Sequence, residues 1–164
     1  HTTYLNSSIC FVDFSPPHKP HPILSIMNIN TQKVIYTDTL SIPSNFESKN
    51  YRGSTPFIQY KDWWFTIVHK RINNPLNYKY KFLIFDSKNI PCINNSIPNK
   101  CINEISIDTK QISNSFIYIT GLIIDEYNNC SHCLKLFISF GINDTYSGIS
   151  RIILNIPFTN KIIN

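Results

Sequence analysis

Nowhere along this chain does an apolar period of 3.6 residues persist for three turns, so no stretch can gather its hydrophobic side chains on one face of a long helix. Short apolar runs with alternating character recur instead, each bounded by Asn, Pro, Gly, Asp or Ser. That pattern predicts an all-β chain. Strands are expected over 9–14, 23–29, 33–40, 57–60, 63–68, 78–85, 102–107, 116–125, 134–140 and 148–156. Residues 1–9 read as a loosely fixed lead-in. The proline-rich run Ser15-Pro16-Pro17-His18-Lys19-Pro20-His21-Pro22 interrupts the first strand, because proline supplies no ladder donor. Residues 89–101 read as a loop and 102–107 as an edge strand.

The strands fall into one unit repeated three times, about 9–40, 51–88 and 102–156, within a single β domain spanning 1–164. Several strands in each of three units of roughly 40–50 residues are the signature of propeller blades. The expected architecture is a partial or oligomer-completed β-propeller of about three antiparallel blades. A β-sandwich is the alternative. Three blades leave terminal faces apolar, so another chain or a missing segment is expected to complete the propeller.

The most informative stretch runs from Tyr51 to His69. It opens with Arg52 on a Gly53-Ser54-Thr55 turn, enters a strand after Pro56, turns at Lys61-Asp62 and returns as a strand ending on His69. Two antiparallel strands of similar length bring their outer ends together, which places Arg52 beside His69 at one rim. A guanidinium beside an imidazole makes a candidate site for an anion or for sugar hydroxyls.

Bulk properties narrow the partners. The net charge of +5 comes from scattered Lys and Arg with no dense basic run, so nucleic acid is not an expected partner. No apolar run reaches the roughly 18 residues a membrane helix needs, so no membrane partner is expected. Of the five cysteines, Cys92 and Cys101 bracket a loop they are spaced to close. Cys130-Ser131-His132-Cys133 resembles half of a zinc knuckle but lacks a second ligand pair, so neither metal nor cofactor is expected. Asn6, Asn94, Asn129 and Asn143 each open an Asn-x-Ser/Thr pattern, a weak sign of secretion in so Asn-rich a chain. The compartment is left open. The chain begins on His1, as a processed protein or a fragment would.

Arg52-Gly53-Ser54-Thr55-Pro56, Asp62-Trp63-Trp64, Val68-His69, Phe85-Asp86, the run Thr120 through Asp125, and Leu136 through Thr145 occur in that order. The order resembles the C-terminal half of the five-bladed propellers of the mannoside phosphorylase and hydrolase family. It is also similar to the propeller modules attached to glycosyltransferases in bacteria and giant viruses. The likeness covers about residues 50–155, with a fainter match at Phe14-Ser15-Pro16 and 23–36. It implies that Arg52, Ser54 and His69 face a central pocket where arginine and histidine hold phosphate, and that Asp144 is an inward acid binding sugar hydroxyls. Tyr80 and Trp64 are placed to stack on a pyranose face, with packing between blades the stronger reading for Trp64. The family's proton donor, an Asp on an upstream blade, has no counterpart in this sequence, and its His-Gly or His-Glu pair is His69-Lys70 here. No catalytic residue is therefore assigned and enzymatic activity is left undecided. The implied function is binding of a glycan or sugar phosphate, as part of a glycoside phosphorylase or hydrolase or of a glycosyltransferase-associated protein. A noncatalytic structural or interaction module of a viral or secreted assembly is the alternative.

Overall fold

In the computed structural model the described residues are 2–5, 8–13, 21–43, 50–73, 76–90, 95–111, 115–125 and 133–155. Two-residue alternation and turn-forming side chains give, among these residues, twelve strands in three antiparallel sheets. Sheet 1 holds β1 (Thr2–Leu5), β2 (Ser8–Asp13), β3 (Ile23–Asn28) and β4 (Val34–Thr39) in that order. Sheet 2 runs β5 (Arg52–Gly53), β7 (Trp63–Asn73), β8 (Leu76–Ile90) and β9 (Asn95–Ile107), with β6 (Ile58–Tyr60) also paired to β7. Sheet 3 is β10 (Ile117–Ile124), β11 (Cys133–Ile142) and β12 (Tyr146–Asn155). A 3-10 turn spans Thr109–Gln111. The chain is thus all-β, with three antiparallel blade-like sheets.

Turn chemistry explains where strands reverse. Lys61 takes φ 55° between β6 and β7, and Asn143 and Asp144 take 51° and 55° between β11 and β12. Asn and Asp tolerate this left-handed region better than other non-glycine residues. Between β3 and β4 the Asn28 side chain accepts hydrogen bonds from the Asn30 and Thr31 amides, which bends the backbone onto itself.

Sheet 2 lies between the other two. In β7 every residue from Trp64 to Val68 is buried, and in β8 every residue from Phe82 to Phe85. Alternation in burial vanishes because both faces are covered. Trp64, Val68, Leu83 and Phe85 pack with Cys10, Val12, Leu24 and Ile26 of sheet 1. Phe65, Ile67, Phe82 and Ile84 pack with Ile117, Ile119, Leu134, Leu136 and Ile138 of sheet 3. Trp64 therefore belongs to the core, as its packing role predicts, and does not present its ring to a sugar.

Several expectations are corrected. Residues 2–5 are a strand paired antiparallel with β2, in register from Thr2 opposite Phe11 to Leu5 opposite Ser8. Residues 95–101 are the first half of β9 and not loop: Ile97 and Cys101 are buried against sheet 1, and Pro98 is accommodated on an edge strand beside two register shifts. Segment 102–107 pairs with β8, so it closes the second sheet where the sequence placed it at the start of the third unit. Cys101 is a free buried thiol, so it does not bridge to Cys92. Cys133 is disulfide-bonded, which removes its sulfur from zinc ligation. Phe14-Ser15-Pro16, Cys92, Cys130, His132 and the Asn6, Asn94 and Asn129 patterns lie outside the described residues. Burial pushes the Cys10 and Cys101 thiols up to about 12 and about 11, so both stay protonated at neutral pH.

A polar side-chain tie links sheets 1 and 2. Lys88 Nζ donates to Asp38 Oδ2 at 2.8 Å and to the Tyr36 hydroxyl at 3.1 Å, and that hydroxyl donates to Asp38 Oδ2 at 2.7 Å. Hydrogen bonds from Lys88, then Tyr36, hold the Asp38 carboxyl at about 2 against an ordinary 3.8. A carboxylate with a depressed folded value stabilises the fold above pH 3.8 and loses that contribution as pH falls through about 2. Both partners are more than two-fifths exposed, so solvent screens the pair and the effect is small. Asp38→Asn is expected to flatten the pH dependence of urea stability between pH 5 and 2 while leaving it unchanged near neutrality. An unaltered acid limb in the variant would show that the tie contributes nothing.

Candidate functional site

The Arg52-to-Thr55 segment is pinned onto β7 by a buried hydroxyl network. Ser54 and Thr55 donate their amides to the Ile67 carbonyl at 2.9 and 3.2 Å. Thr55 Oγ1 accepts the Ile67 amide at 2.9 Å, and Thr66 Oγ1 donates to the Thr55 carbonyl at 2.9 Å. These hydroxyls are shielded from water, so each bond left unmade would cost about 1–3 kcal/mol. The network fixes the chain just after β5, in which Arg52 pairs directly across from His69 and Gly53 across from Val68.

His69 sits at the rim of the contact between sheets 2 and 3, on the side that carries Phe65 and Ile67. Aromatic rings surround it. Its imidazole meets Tyr78 edge-on at 4.9 Å between centroids and Tyr118 at 5.4 Å, with Tyr80 at 6.2 Å. Tyr78 in turn touches Phe116 at 5.2 Å and Tyr118 at 5.4 Å. The arrangement follows from register: Tyr78 and Tyr80 are two apart on β8 and share a face, while Phe116 and Tyr118 enter from the start of β10.

His69 Nδ1 is buried with no hydrogen-bond partner among the described residues. A proton there would be a buried donor without an acceptor, so burial, aided by the charge of Arg52, lowers the imidazole below its ordinary range. At neutral pH the ring is therefore uncharged. The rim therefore combines one fixed positive charge, a neutral imidazole and aromatic edges.

Two residues expected at the site serve another purpose. Tyr80 is 2% exposed, and its hydroxyl donates to the Ile117 carbonyl at 2.9 Å and accepts the Ile119 amide at 3.2 Å. Its ring has no free face for a pyranose. The Ser54 hydroxyl donates to the Ile119 carbonyl. β10 is an edge strand, and Ile117 and Ile119 direct their backbone groups away from β11 toward sheet 2. Tyr80 and Ser54 satisfy that edge with side chains. Asp144 is exposed on the β11–β12 turn, whose Asn143 exchanges hydrogen bonds with the Phe116 backbone at 3.0 and 3.2 Å. That places Asp144 at the Phe116 end of the molecule. Tyr78, Phe116 and Tyr118 were missed in the sequence, although the Tyr78-x-Tyr80 alternation carried the signal.

A hollow of about 300 Å³ lies at the other end of β10, lined by Ile58, Gln59, Leu122, Ile123 and Ile124. None of these five residues is charged. The chemically equipped surface is the His69 rim.

Comparison with known proteins adds little to the geometry. No family model matches the chain, and no curated protein matches it. Among solved structures the chain is similar to "A subtype N10 neuraminidase-like protein of A/little yellow-shouldered bat/Guatemala/060/2010", at 8% identity and a TM-score of 0.35 over 92% of this chain. The chain spans 42% of the length of that structure.

Proposed function

We propose that the rim around His69 binds a glycan or sugar phosphate. The observation that carries this reading is the ring cluster of Tyr78, Phe116 and Tyr118 about a neutral imidazole, with Arg52 directly across the strand pair. Aromatic edges and faces suit the C–H surface of a pyranose, an imidazole N–H suits a hydroxyl, and a guanidinium suits a phosphate or carboxylate in a bidentate grip. Asp144, on the turn held against Phe116, supplies an acceptor for sugar hydroxyls at the same end. The role is recognition. Acid-assisted cleavage of a glycoside needs a carboxylic acid poised against the leaving oxygen; the acid at this end is Asp144, exposed on its turn, and it is read here as a hydroxyl acceptor. The mannoside-acting propellers, and the modules attached to glycosyltransferases, supply the substrate class to test first.

Isothermal calorimetry with mannose and with a mannose phosphate tests the reading. Arg52→Ala is expected to weaken the phosphate sugar about tenfold, equivalent to about 1.4 kcal/mol, and to leave the neutral sugar within a factor of two. Tyr118→Ala is expected to weaken both. Affinities untouched by either substitution would end the proposal.

A further inference from the structure

The turn between β11 and β12 carries the triplet Asn143-Asp144-Thr145, an Asn-x-Thr pattern with no proline at its centre, and all three residues are exposed. Such triplets arise by chance in so Asn-rich a chain, so the pattern alone selects nothing. Two structural observations select Asn143. The first is the orientation of its side chain. Residues Ile142 to Thr145 form a tight turn closed by the Thr145 amide, which donates to the Ile142 carbonyl at 3.0 Å, with Asn143 and Asp144 both at positive φ. Asn143 and Phe116 clasp each other: the Asn143 amide donates to the Phe116 carbonyl at 3.0 Å, and the Phe116 amide donates to Asn143 Oδ1 at 3.2 Å. A backbone N–H needs an acceptor, which fixes the side-chain oxygen as the inward atom. The amide nitrogen Nδ2 is left with no hydrogen-bond partner among the described residues, on a residue open to solvent. The second observation is oxidation. Cys133, the first residue of the strand that ends at Ile142, is disulfide-bonded. Disulfides persist in oxidising compartments, the same ones in which Asn-x-Thr triplets are modified. Cys10 and Cys101 stay reduced in such a setting because both are buried.

We infer that Asn143 is a site of N-glycosylation, taking its oligosaccharide from a polyprenyl diphosphate donor. In the transfer the anomeric C1–O bond to the diphosphate breaks and a bond from Asn143 Nδ2 to C1 forms; the diphosphate leaves with the bonding pair and Nδ2 gives up one proton. The side-chain carbonyl is untouched, so the hydrogen bond from the Phe116 amide to Oδ1 survives and the folded turn holds the sugar in solvent. Attachment needs only the turn and the acceptor nitrogen, so it does not depend on whether the rim around His69 holds a free sugar.

The test carries the whole chain through the secretory pathway of a eukaryotic cell and reads the proteolytic peptide containing Asn143 by mass spectrometry, before and after peptide-N-glycosidase treatment in heavy-oxygen water. Most copies are expected to bear a glycan, and enzymatic release should leave an oxygen-labelled carboxylate at that position. Reading the peptide keeps this site apart from the triplets at Asn6, Asn94 and Asn129. Thr145→Ala breaks the triplet while keeping the acceptor, and is expected to lower occupancy of Asn143 about tenfold or more, whereas Thr145→Ser keeps the triplet and should keep most of the glycan. Because the turn is exposed, release from the folded chain should be as complete as from the denatured one. An unmodified Asn143 in the secreted chain overturns the inference, as does a glycan there that survives Thr145→Ala. Alkylation of Cys133 in the unreduced protein would remove the oxidising compartment and overturn it as well.

Discussion

Phe65→Ala is expected to cost about 3–5 kcal/mol of stability, the largest loss of any single truncation described here. Phe65 is fully buried, stacks on Phe82 with centroids 5.7 Å apart, and stands where sheets 2 and 3 meet. Removing its ring deletes contacts to both sheets and leaves a void between layers that two hydrogen-bonded ladders cannot collapse to fill. Urea denaturation followed by tryptophan fluorescence measures it: the midpoint should drop with little change in slope. The thermal midpoint should fall by roughly 10 °C or more. A loss under about 1 kcal/mol would mean that sheet 3 does not rest on sheet 2 through this side chain.

Tyr80→Phe is the second large effect, and it isolates one oxygen. The ring and its packing remain, while the Ile117 carbonyl and the Ile119 amide both lose a buried partner. Leaving buried backbone groups unsatisfied is expected to cost about 1–3 kcal/mol. Because those groups line the free edge of β10, amide hydrogen exchange at Ile119 should quicken more than at Ile67, deep in β7. The glycan affinity of the rim should change by less than a factor of two, which separates a strut from a ligand contact. Burial of the hydroxyl also raises its ionisation well above the ordinary tyrosine range, so Tyr80 should stay silent in an ultraviolet titration up to pH 11.

The proximity of Arg52 and His69 could be read from the sequence because it needs only a hairpin: the Lys61-Asp62 turn and the two strand lengths fix which residues end up opposite. Trp64 as a core residue, and the turn at Asn143-Asp144, follow from equally local signals. What escaped depends on neighbours far along the chain. Nothing near Tyr80 announces that its hydroxyl is needed by β10, whose residues lie 37 and 39 positions later. Ser54 likewise satisfies a carbonyl 65 residues away. The β9 strand was hidden by its own composition, since Asn, Pro and Lys signal a loop until burial of Ile97 and Cys101 against sheet 1 outweighs them. The aromatic rim combines residues from two sheets, and no single-strand pattern can show that.

Hydrogen-bonded neighbours in all three sheets are consecutive strands, or at most one apart, as with β5 and β7. Ladder formation therefore needs only short loop closures, whose entropy is small, and each sheet can zip as it leaves the ribosome. Stacking is the step that must wait. A nascent chain halted between β9 and β10 would present Phe65, Ile67, Phe82 and Ile84 to solvent without the cover of sheet 3, which makes that interval the window in which chaperones, or sticky side reactions, compete with maturation.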